Sequence, residues 1–209
     1  MKKISIETNQ IEEFGKWLEE KLFFKRIKNE AFADNSVYEN GDCLLELCSM
    51  ETIIHEKAYK GFVHIALDST DINAALRYCK KENLLLELKG EDIFLNPKVY
   101  GEGAYYFNIL SPFGITFEVS QKKGDARKAK QPVIAGLNHV GLQAKDIVQA
   151  VAYYKQEGFQ NEFEIVTNED AQGNMIRVVM MKKENIIIEI FQIGEMLQDN
   201  HNQRIFIKN

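Results

Sequence analysis

The sequence predicts an α+β protein built from three copies of a strand–helix–three-strand module, with curved, cupped mixed sheets and the helices outside. The first observation behind this is an internal repeat. Gly-Phe-Val-His-Ile-Ala-Leu at 61–67 and Gly-Leu-Asn-His-Val-Gly-Leu at 136–142 align at an offset of 75 residues. The match continues through Asp71/Asp146, Ile72/Ile147, Ala75/Ala150, Tyr78/Tyr153, Lys80/Lys155 and Glu82/Glu157. The second observation is that each copy closes on a short apolar run holding one carboxylate, Glu118 in 115–119 and Glu189 in 187–191. Ionisable groups are rarely placed inside buried strands without a partner.

The first module, residues 1–60, reads as a degenerate copy. Ile11, Phe14, Leu18 and Leu22 have helical spacing, and Cys43 to Cys48 form a closing strand around Glu46, but Lys3 stands where the other copies carry histidine. In the second module, 61–121, the apolar strand to Leu67 leads into Asp68, Ser69, Thr70 and Asp71, a cluster suited to capping a helix whose apolar face is Ile72, Ala75, Leu76 and Cys79. Asn83 and its counterpart Gly158 tolerate the left-handed conformation that ends helices. A strand at 84–88, a loop with Pro97, Gly101 and Gly103, a strand at 104–110, a turn at Ser111-Pro112-Phe113-Gly114 and the Glu118 strand complete the copy. Residues 122–134, the most charged and least periodic stretch, form a linker. The third module, 135–195, repeats the order, with Ile147, Ala150, Val151 and Tyr154 on its helix face and strands at 163–167, 175–181 and 186–191. The tail, 196–209, is too short for a fourth copy, although Arg204 to Ile207 suit an edge strand.

Composition bounds the function. A chain of 209 residues with 45% hydrophobic and 27% charged residues is ordinary for a globular protein, and a net charge of -5 with pI near 5.5 argues against nucleic acid or an anionic membrane surface as partner. Cys43, Cys48 and Cys79 have no metal-finger or paired spacing, no apolar run approaches the roughly 18 residues of a membrane span, and the start turns polar too soon for a signal peptide. The expected location is therefore the cytoplasm. No glycine pattern points to a nucleotide.

Two His/Glu pairs in equivalent positions are what a metal site assembled from two duplicated halves needs, since imidazole and carboxylate suit divalent ions such as Zn, Ni, Mn or Fe. The run Leu137-Asn138-His139-Val140-Gly141-Leu142, with Asp146-Ile147 opening its helix, resembles the vicinal oxygen chelate superfamily, also called the glyoxalase/bleomycin resistance/extradiol dioxygenase fold. Ser111-Pro112-Phe113-Gly114-Ile115-Thr116-Phe117-Glu118 is similar to that family's Asp-Pro-x-Gly-x-x-x-Glu ending, with Ser replacing Asp. The resemblance implies a metal held by His64, Glu118, His139 and Glu189, with Glu118 and Glu189 as the catalytic carboxylates. Pairing of the first and second modules would instead give Lys3, Glu46, His64 and Glu118. There the lysine would repel a divalent ion, so ligand completeness favours the second and third modules.

Such a site suits a glyoxalase-like isomerase or lyase acting on a small oxygenated or thioester substrate through a metal-stabilised enolate, with a carboxylate taking the adjacent proton. Two alternatives stay open. One is an extradiol-type dioxygenase using His64, His139 and Glu189. The other is a metal-free, drug-sequestering binding protein in which the His and Glu side chains bond each other or line a ligand cavity. Tyr105 and Tyr106 alternate in facing, so one is placed to reach a cavity, the competing reading being core or rim; Arg177 fits a substrate clamp or an outer solvated position equally well. His55 and His201 read as surface. Three modules leave one sheet edge open, which predicts a homodimer unless the tail covers that edge.

Overall fold

The computed structural model describes residues 2–27, 36–49, 62–87, 93–125, 127, 132–169, 173–194 and 205–208. His55 and His201 lie outside them. In chain order the elements are β1 (Lys2–Glu7), α1 (Ile11–Leu22), β2 (Lys25–Ile27), β3 (Ser36–Asn40), β4 (Cys43–Cys48), β5 (Phe62–Ser69), α2 (Ile72–Lys81), β6 (Leu86–Glu87), β7 (Phe94–Asn96), β8 (Ala104–Leu110), β9 (Thr116–Lys122), β10 (Ile134–Gln143), α3 (Ile147–Gln156), β11 (Gln160–Glu169), β12 (Met175–Lys183), β13 (Ile186–Ile193) and β14 (Ile205–Lys208). This is the predicted α+β class. One mixed sheet has the order β14-β1-β4-β3-β2; the other runs β11-β12-β13-β10-β5-β9-β8-β6, with β7 also on β8.

Each repeat has the same wiring. Its first strand pairs in parallel with its last, and the residue two after the His or Lys position lies opposite the glutamate: Ser5 with Glu46, Ala66 with Glu118, Gly141 with Glu189. That common register identifies Lys3 as the counterpart of both histidines. β5 and β10 then pair antiparallel, which joins the second and third repeats into one sheet and brings their first strands together at its centre.

The helices form where capping and apolar spacing agree. The Asp71 carboxylate accepts from the Ala74 N–H, and Asp146 accepts from Val148 and Gln149. A second repeated bond lies beside each cap, where the amide oxygens of Gln121 and Gln192 accept from the N–H groups of Ile72 and Ile147. On the face of β8 and β9 away from His64, α1 buries Phe14 and Leu18, and its Phe14 and Trp17 rings pack on Phe113 and Phe117 with centroids 4.6 and 5.7 Å apart. Burying each such side chain stabilises the fold by about 1.5–3 kcal/mol. Tyr78 of α2 lies on Phe23 and donates to the Lys21 carbonyl, so the first repeat is fastened to the back of the second.

Two details depart from the sequence reading. Of the strand expected at 84–88, Leu86 and Glu87 are in β6, Leu84 and Leu85 stand outside it with Leu85 exposed, and residue 88 lies outside the described residues; part of the expected loop is a further short strand, β7. Both pair with β8, at different ends. β10 begins at Ile134, inside the stretch read as linker. The tail forms the edge strand its sequence suited: β14 pairs antiparallel with β1 and covers the edge on which the homodimer expectation rested. No helix among the described residues is long and apolar enough to cross a membrane.

Candidate metal centre

Four side chains from four central strands converge on one face of the larger sheet. The Nε2 atoms of His64 and His139 stand 3.0 Å apart. A Glu189 oxygen lies 3.4 Å from the first and 3.5 Å from the second, while the two Glu118 oxygens lie 3.8 Å from one ring nitrogen each. Two ligands about 2.0–2.1 Å from one ion stand about 3.0 Å apart at a right angle and about 3.4 Å apart at the tetrahedral angle. The donor types and spacings therefore fit a divalent cation, most closely around His64, His139 and Glu189, whose ligand atoms all lie within 4.8 Å of one another.

The strands dictate this approach. Gly141 lies opposite His64 in the β5–β10 ladder, and a Cβ there would overlap the His64 ring. Ala66 stands opposite His139, so each imidazole lies across from a residue with little or no side chain. His139 is further fixed by its neighbour. The Asn138 amide oxygen accepts from His139 Nδ1 at 2.8 Å and from the Tyr100 hydroxyl at 2.8 Å, while Asn138 Nδ2 donates to Asp68 at 3.4 Å. An amide oxygen only accepts, so His139 carries a proton on Nδ1 and aims Nε2 at His64 and Glu189.

The carboxylates are inequivalent. Burial pushes the Glu118 carboxyl up, against the charges of the two imidazoles. Burial acts upward on Glu189 too, but hydrogen bonds to His139 and His64 outweigh it and hold that carboxyl well below the usual range. For His64, burial lowers basicity, yet the Glu189 hydrogen bond and the fields of both glutamates prevail and raise it.

In front of the four side chains is a cavity of about 430 Å³, with Ile176, Val178, Phe191 and Val99 on apolar walls and Tyr106, Asn108 and Glu87 as further polar groups. Tyr106 faces it and is held neutral, its hydroxyl pushed up to about 12 by burial, whereas Tyr105 packs against the core. Arg177 is exposed on the opposite face of β12 from Ile176 and Val178, so it is not a clamp for this cavity. In the first repeat the corresponding space holds an internal ion pair, with Lys3 Nζ 3.0 Å and Ser5 Oγ 2.5 Å from a buried Glu46 oxygen. The sequence reading assigned no part to Asn138, Tyr100, Gly141, Asn108 or Glu87. The repeat offered one signal, since Gly141 and Ala66 occupy equivalent small-residue positions two after each histidine.

No family model matches this sequence, and no curated protein matches it. Among solved structures, glyoxalase I from Zea mays superimposes with a TM-score of 0.65 over 99% of this chain and 74% of that one, at 15% identity. The chain has the vicinal oxygen chelate fold. A candidate dioxygenase from Bacillus subtilis shares it, with a TM-score of 0.57 over 97% of this chain and 64% of that one, at 10% identity. At such identities the likeness concerns the vicinal oxygen chelate fold, and the chemistry has to be argued from the site.

Proposed function

We propose that this chain is a divalent-metal-dependent isomerase or lyase that moves a proton beside an oxygen of a small substrate. The observation that carries the reading is the inequality of the two glutamates around a closely spaced histidine pair. Glu189, nearest both rings and strongly acidic, is suited to remain an anion and a permanent ligand with His64 and His139. Glu118 stands farther off and holds a proton more readily, as a group that takes a proton from carbon and returns it to a neighbouring atom must. A bound ion would supply Lewis-acid polarisation of the substrate oxygen next to that carbon. His139, fixed through Nδ1 by Asn138, keeps its donor atom aimed at the same point. Ile176, Val178, Phe191 and Val99 form an apolar wall on part of the cavity.

A second reading has its own support. His64, His139 and Glu189 form a two-histidine, one-carboxylate face with Glu118 set back, the arrangement suited to iron and oxygen chemistry. Metal analysis of protein purified without chelator tests both. One equivalent of zinc, nickel or manganese supports the isomerase or lyase, and iron supports the oxygenase. His139→Ala and Glu189→Gln should lose the ion with the fold intact, whereas Glu118→Gln should keep it and lose about 10²–10⁴-fold in turnover of any substrate found. Wild-type metal content in His139→Ala would sink both readings, and wild-type protein without stoichiometric metal would favour a metal-free binding protein.

A further inference from the structure

Two hydroxyls on the cavity wall are left unengaged by the fold, and they stand at different places. Thr116 lies opposite His64 in the β5–β9 ladder, beside the metal-binding point. Tyr106 stands farther out, half-buried, and among the described residues no group donates to its hydroxyl or accepts from it. The other polar groups around it are occupied. The Tyr100 hydroxyl donates to Asn138, the Asn108 amide nitrogen donates to Glu87, and Ser120 is bonded to the Glu118 carboxylate. A tyrosine hydroxyl in a largely apolar surrounding ordinarily has a partner, so this one keeps its donor for whatever fills the cavity.

The sheet fixes where that donor stands. Asn108 opposes Glu118 across β8 and β9, and Tyr106 is two residues along β8 on the same face, opposite Ser120. Such diagonal neighbours have Cβ atoms about 7–8 Å apart, a separation that one small molecule spans. From the other side of β8, Phe94 opposes Tyr106 and its ring packs on the phenol with centroids 5.4 Å apart, so the ring is held from behind. Burial first, and then the fields of Glu118 and Glu189, keep the phenol protonated and therefore a donor. In the sheet, β9 lies between β5 and β8, which places Glu118 between the histidines and Tyr106.

We propose that Tyr106 is the substrate-orienting donor of this site, and that the substrate carries a second oxygen able to accept a hydrogen bond, as a carbonyl does, a few bonds from the oxygen at the metal point. The proposal rests on the metal-dependent reading above and narrows its substrate to a molecule with two separate oxygen functions. A molecule held by one oxygen alone turns about that contact. A second anchor at Tyr106 stops the turn and presents the carbon between the two oxygens to Glu118, which is the orientation that proton removal needs.

The test titrates zinc-loaded full-length protein calorimetrically with hexanohydroxamic acid and with its γ-oxo and δ-oxo analogues, which share one chelating head and replace a methylene by a carbonyl. One of the oxo compounds should bind about three- to tenfold more tightly than the parent. Tyr106→Phe should erase that gain with zinc stoichiometry and the parent's affinity unchanged, whereas Thr116→Val should keep it. No gain for either oxo compound in wild-type protein, or a gain that survives in Tyr106→Phe, overturns the proposal. Equal weakening of parent and oxo compounds in Tyr106→Phe marks a packing role and overturns it as well. Should zinc or the parent compound fail to bind, the metal reading falls separately. The donor is then judged on the same protein by the carbon-13 resonance of Tyr106 Cζ, assigned by its absence in Tyr106→Phe. A shift with cyclopentanone and none with cyclopentane supports it; equal shifts, or none, refute it.

Discussion

Replacing Asn138 with leucine tests whether the hydrogen bond behind His139 governs the site. The substitution removes the acceptor that holds His139 Nδ1–H at 2.8 Å and the partner of the Tyr100 hydroxyl at 2.8 Å, while leaving His64, His139, Glu189 and Glu118 themselves in place. Without that acceptor the imidazole is free to carry its proton on Nε2, the atom that must be bare to bind an ion. Losing such a bond typically weakens metal affinity 10–100-fold, about 1.4–2.8 kcal/mol. The fold should suffer less, because Asn138 is half-buried and two ordinary hydrogen bonds contribute about 1–3 kcal/mol together. Asn138→Asp keeps an acceptor of higher basicity, although it brings a second carboxylate toward Asp68, and should hold wild-type affinity or exceed it. Competition against a metallochromic chelator at fixed pH reads the affinity, and melting of the chelator-treated protein reads the fold. A leucine variant within twofold of wild type, or an aspartate variant equally weakened, would refute the reasoning.

Gly141→Ala should drive the His64 ring from its place and abolish stoichiometric metal binding, while circular dichroism stays native; metal content equal to wild type would count against the close approach of the two strands. Chelator-treated protein should lose stability as pH rises above about 6.5, measured as a falling urea midpoint, because the raised basicity of His64 contributes fully below that value and is lost through its folded pKa. The raised Glu118 acts in the same direction, whereas the lowered Glu189 contributes above about 4.3 and its share is lost as pH falls toward its folded value; added zinc, which displaces the His64 proton, should flatten the alkaline decline. Cys43, Cys48 and Cys79 are buried, and burial pushes the Cys79 thiol up to about 12, so Ellman's reagent at pH 8 should find no thiol in native protein and three in urea.

The convergence of His64, Glu118, His139 and Glu189 was legible because duplication prints a three-dimensional symmetry as a linear offset. Equivalent strands in equivalent modules put equivalent residues on one face, and the shared Ser5/Glu46, Ala66/Glu118 and Gly141/Glu189 registers are the physical form of that offset. The caps at Asp71 and Asp146 were legible because they act over three residues. Contacts set by long-range pairing were not. Nothing local in Leu84 and Leu85 sets them apart from the strand that Leu86 and Glu87 join, and the docking of β14 on β1 joins opposite ends of the chain. Asn108, Glu87 and Asn138 are ordinary polar residues whose meaning comes from their cross-strand neighbours. Gln121 and Gln192 were within reach, three residues beyond each glutamate, but their helix partners lie across the sheet.

The packing of Phe14 and Trp17 on Phe113 and Phe117 gives the module with lysine in the histidine position a task of its own. Phe117 precedes Glu118 on β9, so its ring leans on α1 while the neighbouring carboxylate points into the cavity from the other face. The copy that lost its ligand thus serves as the buttress for a strand that kept one. A chain cut to begin at residue 61 would retain every proposed ligand and still strip the backing from β9, leaving two phenylalanines bare to water behind a carboxylate whose aim depends on them.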